Sequence, residues 1–365
     1  MKIIHVIDHM AVGGAQKMVY DISLMQHKNG HQVKILTLIQ SDSFLETDLK
    51  DKGIEIYYIY PHSSSVRNIY NPLTIIKIGK YLKDADIVHV HLFPANYWCA
   101  IYKFLFKRNV KMITTEHSTN NKRRNKAYLK PVERFVYRQY NAVVACSQKA
   151  QNTLNGFLGK DIVAYISNGV AVEMYHQAQG NQKEEVYGVG KDIKIVTMVA
   201  RFQPPKDQLT VIKSLIFLPN DVHVAFVGDG SLMGDCKQYA MKNGLAGRCH
   251  FLGLRSDVPR LVKTSDINVL SSKWEGLSLS SVECMSTAKP FIGSEVQGIQ
   301  EIVRGAGMLF KYGDAKGLAS CIMSLLNSPE EYEKVADKCY QRAKDYDISK
   351  TYDAYMDYYE KIQVR

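Results

Sequence analysis

A chain of 365 residues with 46% hydrophobic and 23% charged residues is too long for one ordinary core and too apolar to stay disordered. Its 47 Lys and Arg against 36 Asp and Glu give a net charge of +11, a balance that favours nucleic acid, an anionic membrane or phosphorylated small molecules. Seven scattered cysteines without a CxxC exclude a zinc ribbon and a disulfide framework and fit a reducing cytosol; the longest apolar stretch, residues 97–106, is half of the roughly 20 needed to span a membrane.

The first strand is predicted at 3–7, where His5 and Asp8 break the apolar run and argue against a signal peptide. Further strands are predicted at 33–38, 54–59, 87–91, 112–115, 142–145 and 163–166, with helices that include 15–28, 72–83, 95–107 and 127–138. Residues 168–192 are polar and lack an apolar period, which reads as a linker. A second series follows, with strands at 193–199, 223–227, 249–252, 267–270 and 290–293 and helices at 206–218, 233–242, 278–286 and 315–326. The tail, 330–362, is helical by period and rich in tyrosine. Continuously apolar strands alternating with helices indicate α/β domains with parallel sheets covered on both faces. The expected division is an N-terminal Rossmann-like domain at 1–168, a linker at 169–192, a C-terminal Rossmann-like domain at 193–345, and a final helix at 346–365 that packs back on the first domain.

The basicity is local. Residues 100–138 hold 11 basic and 2 acidic residues, while residues 186–365 are nearly balanced. A solvated face is the ordinary reading of a charge run, but so one-sided a run repels itself unless a partner offsets it.

Several loops at strand ends are candidates for chemistry. Gly13-Gly14-Ala15 follows the first strand and opens a helix, where a bare backbone and free N–H groups suit a phosphate; a tight turn uses the same residues. In the second half, Arg201 and Lys206 flank a proline-stiffened loop before a helix, a place where cations oppose the helix dipole unless an anion joins them. Gly228-Asp229-Gly230 ends the next strand and reads first as a turn. The segment from Trp274 to Glu283 places Glu275, Gly276 and Leu277 in a loop and Glu283 on the helix after it. On one continuous helix the two carboxylates would lie about 12 Å apart, too far for a glycosidase pair, and they suit sugar or ribose hydroxyls better. Gln297-Gly298 forms one more strand-to-helix turn. His89 and His91 share a strand face without neighbouring Asp or Cys ligands, so no metal site is expected; His117 follows a strand at the edge where parallel sheets bind ligands.

Together these motifs resemble the retaining GT-B glycosyltransferases, the nucleotide-sugar family that includes sucrose synthases and bacterial phosphatidylinositol mannosyltransferases. The resemblance implies two Rossmann-like domains whose parallel sheets face a central cleft. It implies that Glu283 holds the donor ribose, that Glu275 with Gly276 and Leu277 faces the donor sugar, that Arg201 and Lys206 bind the diphosphate, that Gly14 closes over it, and that His117 lies beside the reacting sugar. Glu275, His117, Arg201 and Lys206 are the expected catalytic set. It also implies a reaction that needs no metal and no cofactor, with a nucleoside-diphosphate sugar as substrate. Gln16 and Gln297 depart from the Glu and Gly common in the family at those positions.

The function expected is therefore sugar transfer from a nucleoside-diphosphate sugar to a glycan or lipid-linked acceptor in bacterial surface polysaccharide synthesis. A nucleotide-sugar epimerase of the same fold is the nearer alternative; a basic nucleic-acid-binding protein is the more distant one, and the chain lacks its signatures. Aromatics at 97–106 followed by Lys107, Arg108, Lys122, Arg123, Arg124, Lys126, Lys130, Arg134 and Arg138 suggest that residues 95–138 meet an anionic membrane. The corresponding location is cytoplasmic, peripheral at the inner face of the plasma membrane. A core helix followed by a solvated basic helix is the plainer alternative.

Overall fold

The computed structural model describes residues 1–61, 65–106, 109–117, 121, 123–124 and 126–364. The chain forms two compact units, one of Met1–Gly169 with Ile348–Arg365 and one of Val170–Asp347.

The first unit has seven parallel strands, β1 (Lys2–Ile7), β2 (Gln32–Ile39), β3 (Glu55–Tyr60), β4 (Ile87–His91), β5 (Met112–Glu116), β6 (Ala142–Ala145) and β7 (Val163–Tyr165). Their order is β3-β2-β1-β4-β5-β6-β7, so the chain reverses direction across the sheet at β1. The helices between the strands are α1 (Gly14–Lys28), α2 (Phe44–Asp51), α3 (Thr74–Leu82), α4 (Ala95–Phe106), α5 (Lys130–Arg138) and α6 (Gln148–Leu158). Val6, Val88 and Val90 pack into one apolar layer, Ile3, Ile7 and Ile87 into another, so each sheet face has its own core. Burial on both faces is what makes the strands read as unbroken apolar runs.

The second unit contributes two short helices, α7 (Val172–His176) and α8 (Lys183–Tyr187), and then strands β8 (Lys194–Val199), β9 (Val222–Val227), β10 (Cys249–Phe251), β11 (Ile267–Leu270), β12 (Phe291–Ser294) and β13 (Met308–Phe310). The order is β10-β9-β8-β11-β12-β13, with the reversal at β8. Its later helices are α9 (Gln208–Ser214), α10 (Met233–Lys242), α11 (Val258–Thr264), α12 (Leu279–Met285), α13 (Gln300–Val303), α14 (Ala315–Asn327) and α15 (Pro329–Lys344). The last helix, α16 (Ile348–Val364), returns to the first unit and packs on α1.

Two sequence expectations change. Residues 169–192 carry α7 and α8 rather than an open linker, and they are fixed in the second unit by buried Tyr175 and Tyr187 and by a 2.8 Å ion pair from Lys183 to Asp266. Helices of five residues show no 3.6-residue period, which is why the pattern reads as a linker. The tyrosine-rich tail is two helices, because the break at Asp345–Asp347 lets Val170 pair with Asp347 and sends α16 away. Tyr355 and Tyr359 of α16 are fully buried in the first unit's core, which explains a tail rich in large amphipathic rings.

Candidate active site

Open parallel sheets bind ligands beyond the carboxyl ends of their strands, at the point where strand order reverses. In the second unit that point lies between β8 and β11. The loop after β8 carries Arg201 and Lys206; the loop after β11 carries Glu275, Gly276 and Leu277; Glu283 follows on α12. The two loops are stitched together. Lys206 and Ser272 form an antiparallel bridge, Asp207 N–H donates to Ser271 O at 3.0 Å, and Lys273 N–H donates to Pro205 O at 3.0 Å. Lys206 Nζ consequently sits 2.6 Å from Glu275 Oε1, with both side chains largely shielded from solvent. Arg201 is exposed and has no ion-pair partner among the described residues. One free cation and one carboxylate-paired cation at the same sheet edge make an anion site with an acid beside it.

Two glycines hold these loops in place. Gly228, at φ +138°, lies so close to the Ala200 carbonyl that any side chain would overlap it, so the β9 turn supports the Arg201 loop directly. Phe202 N–H donates to Asp229 O at 2.9 Å from the same turn. Gly298, at φ +84°, would place a Cβ 2.5 Å from Gly276 O and 2.6 Å from Glu275 O. Glu275 N–H in turn donates to Gln297 O at 3.3 Å. The turns at 228–230 and 297–298, legible in sequence only as turns, are supports for Arg201 and Glu275.

In the first unit the reversal lies at β1. Gly14 begins α1, exposed, with open space where a side chain would be; no acidic side chain lies in the first turn of that helix. The ends of β1, β4 and β5 open on a cavity of about 440 Å³, lined by Asp8, Phe93, Asn96, His117, Arg123 and Tyr137 among others. Burial raises the Asp8 carboxyl above the ordinary range, against the attraction of His9. His117 Nδ1 and Asn96 Oδ1 are buried there without partners among the described residues. A cavity with unpaired acceptors suits a ligand rich in hydroxyl donors. Asp8 and Asn96 do not stand out in the sequence; the only signal is a polar residue ending a buried strand or opening a helix.

Behind this cavity the histidines form a buried network. His5, His89 and His91 lie on one sheet face with nitrogens within 4.8 Å of one another, the arrangement of a metal site. Every one of those six nitrogens is already within hydrogen-bond distance of a protein group: Gln26, Tyr359, Thr115, His117 or each other. The cluster is a hydrogen-bonded chain, and its nitrogens are not free to converge on an ion.

The basic region divides. Arg124 is buried and donates from Nη2 alone to Glu116 and, at 2.9 Å, to Tyr137 Oη, while the other two nitrogens of its guanidinium find no partner among the described residues. Arg123 pairs with fully buried Glu133 at 2.8 Å and lies 4.0 Å from the centre of the Phe93 ring. Neither arginine is a loose surface charge, which removes both from the basic run read in residues 95–138: Glu116 and Glu133 lie inside and draw the guanidinium groups to them. Lys126, Lys130, Arg134 and Arg138 are exposed. Lys107, Arg108 and Lys122 lie outside the described residues. On α4, Cys99, Ala100 and Tyr102 are core, whereas Phe104, Leu105 and Phe106 at the end of the helix are exposed. No helix among the described residues is long and apolar enough to cross a membrane.

Residues 12–174 match the family model Glycosyltransferase Family 4, and residues 181–344 match Glycosyl transferases group 1. The chain is 28% identical over 307 residues to the UDP-Gal:alpha-D-GlcNAc-diphosphoundecaprenol alpha-1,3-galactosyltransferase of Escherichia coli, with 79% of each chain covered. It is 26% identical over 345 residues to the N-acetyl-alpha-D-glucosaminyl L-malate synthase of Bacillus anthracis, covering 90% of this chain and 88% of the other. The solved structure of Anabaena Alr3699/HepE in complex with UDP and glucose shares the fold, with a TM-score of 0.83 over 99% of this chain and 100% of that one at 21% identity.

Proposed function

The chain belongs to the GT-B glycosyltransferases, and on that premise we propose that it moves a sugar from a nucleoside-diphosphate sugar to a glycan or lipid-linked acceptor with the anomeric configuration retained. The observation that carries this reading is the pairing of Lys206 with Glu275 beside exposed Arg201 at the sheet reversal of the second unit. The leaving nucleoside diphosphate gains negative charge as its bond to the sugar breaks. Arg201 forks two phosphate oxygens, and Lys206 turns from Glu275 toward the diphosphate as a point charge. Glu275, so released, accepts hydrogen bonds from donor-sugar hydroxyls, and Glu283 accepts those of the ribose. The two cations supply the charge stabilisation, and the reaction needs no metal; chelator should leave the rate unchanged.

His117 and the acceptor-rich cavity of the first unit serve the reacting sugars, and Gly14 leaves the start of α1 open to the diphosphate. The donor to try first is a UDP-sugar, since the E. coli relative is named for UDP-Gal and the Anabaena protein was solved with UDP. The acceptor to try first is a sugar on a lipid diphosphate, the acceptor in the E. coli enzyme's name. In that setting the protein works at the cytoplasmic face of the membrane in surface polysaccharide synthesis, with the exposed end of α4 and the cations of α5 against anionic lipid.

The test is a thermal-shift screen of UDP-, GDP- and ADP-sugars, followed by product analysis with a diphosphate-lipid acceptor. A stabilising donor and an α-linked product from an α-linked donor support the reading. A donor epimerised without acceptor, or an inverted product, overturns it.

A further inference from the structure

The buried polar chain beneath α1 and α16 has a direction. His5 Nε2 lies 2.8 Å from Gln26 Oε1, His5 Nδ1 lies 3.1 Å from His91 Nε2, and His91 Nδ1 lies 3.1 Å from His117 Nε2. Gln26, His5, His89 and His91 are fully buried. Burial drives His5 and His117 down to about 4 and His89 and His91 well below their ordinary value, so each ring is neutral and carries one proton.

A neutral imidazole donates from one nitrogen and accepts at the other. The amide oxygen of Gln26 can only accept, so His5 carries its proton on Nε2 and leaves Nδ1 bare. His91 must then donate from Nε2 to His5 and leave its own Nδ1 bare. His117 must donate from Nε2 to His91. What remains is His117 Nδ1, the atom that is buried at the cavity without a partner among the described residues.

A second branch shares the amide at the head of the chain. Gln26 Nε2 donates to Tyr359 Oη at 3.3 Å, and Tyr359 Oη lies 2.7 Å from His89 Nδ1. His89 Nε2 lies 2.8 Å from Thr115 Oγ1, which lies 2.9 Å from Tyr355 Oη. With the Gln26 amide in this orientation, Tyr359 donates to His89, His89 to Thr115 and Thr115 to Tyr355. Turning the amide over reverses both branches at once, because they share it.

We propose that Gln26 is a positioning residue that, through His5 and His91, holds His117 in the Nε2–H form, so that His117 offers a bare Nδ1 to a sugar hydroxyl in the cavity. The inference rests on the reading that His117 serves the reacting sugar. Asn96 Oδ1, the other unpaired acceptor in the same cavity, asks for the same kind of ligand, a hydroxyl donor. Gln26 lies three hydrogen bonds from His117, so its effect on turnover passes through the tautomer and not through contact with substrate.

The test uses the full chain labelled with 15N-histidine. Long-range proton–nitrogen correlation spectra read the tautomer of each ring, and the His117→Asn spectrum assigns the His117 signals. The wild type is expected to show His117 protonated at Nε2 only. Gln26→Leu is expected to give a mixture of tautomers and a roughly tenfold lower kcat, the worth of one hydrogen bond at a reacting group, with the donor KM unchanged. Gln26→Glu keeps an acceptor toward His5 and should restore the tautomer and most of kcat. Should Gln26→Leu fail to fold, Tyr359→Phe removes the partner that orients the amide and is expected to give the same mixture. A wild-type His117 protonated at Nδ1, or a His117 tautomer indifferent to both substitutions, overturns the relay. Full activity in His117→Ala instead overturns the placement of His117 at the reacting sugar, while the spectra still decide the relay.

Discussion

Lys206 and Arg201 are alike in charge and sequence neighbourhood, but their surroundings make them different experiments. Arg201 is exposed and unpaired among the described residues, so Arg201→Ala should leave the thermal midpoint unchanged while turnover falls about 100–1000-fold, the usual loss when one donor at a developing anion is removed. Lys206 neutralises a shielded carboxylate at 2.6 Å, so Lys206→Ala should lose turnover and also about 1–3 kcal/mol of stability, because Glu275 is left without its counter-charge. Steady-state kinetics and urea melts of both variants check the contrast; two equally stable variants would mean that the ion pair contributes nothing to the fold. Gly298 is the third position where one atom matters. Its φ is +84°, and a methyl group there would meet two carbonyl oxygens at 2.5 and 2.6 Å, which leaves no room for alanine. Gly298→Ala should cost about 1–3 kcal/mol and displace the Glu275 loop, seen as reduced turnover beyond the loss of stability.

At the scale of elements, α4 has two halves with different partners. Its first half covers the sheet; its last turn leaves Phe104, Leu105 and Phe106 exposed, and Tyr128 just before α5 is 71% exposed. In the proposed membrane contact, these exposed rings and leucine enter the headgroup layer while Lys126, Lys130 and Arg138 meet anionic lipid. Replacing Phe104, Leu105 and Phe106 by Ser should abolish sedimentation with anionic vesicles at low salt, at a modest cost in stability from the ring contacts of Phe104 with Phe135 and of Phe106 with Tyr102. A triple variant that still sediments would move the contact elsewhere. The same region shows how charge counts mislead: Arg123 and Arg124, adjacent in sequence, are spent on Glu133 and Glu116, while Lys126, Lys130, Arg134 and Arg138 are exposed.

For the whole molecule, the two units carry unequal loads of buried histidine. The first unit holds His5, His89, His91 and His117, all depressed by burial; in the second, His250 is depressed to about 4 and His223 more mildly. A histidine whose folded pKa lies below its unfolded value of about 6.5 takes up its proton only when the chain unfolds. The stability these rings contribute is therefore whole above pH 6.5 and falls as the pH drops from there toward 4, by roughly 1 kcal/mol per pH unit for each fully buried ring. The groups around the first unit's rings, Gln26, Thr115, Tyr355 and Tyr359, carry no charge to offset this. Trp98 lies in the first unit and Trp274 in the second, so the two single-tryptophan variants, Trp274→Phe and Trp98→Phe, report one unit each. Urea melts between pH 7.5 and 5 should show the Trp98 transition falling steeply and the Trp274 transition less so. Equal slopes would mean that the histidine chain is protonated in the fold or already neutral without it.

Strand positions, helix alternation and the order of the loops were set by local pattern. Strands buried on both faces leave continuous apolar runs, so 142–145 and 267–270 are found to the residue. Gly14, Arg201, Lys206, Glu275 and Glu283 stand out because they sit in the loops and helix starts beyond the strand ends, where open parallel sheets bind ligands. The short helices α7 and α8 are not legible, because five residues show no helical period. Only the tertiary structure decided partners. The pairing of Lys206 with Glu275 depends on two strands distant in sequence lying side by side, and the descent of Tyr355 and Tyr359 onto His89 and Thr115 depends on α16 rejoining the first unit. The burial of Arg124 and the row of contacts from Gln26 to His117 have the same origin: hydrogen-bond partners are chosen by proximity across a sheet, and sequence spacing carries no record of it.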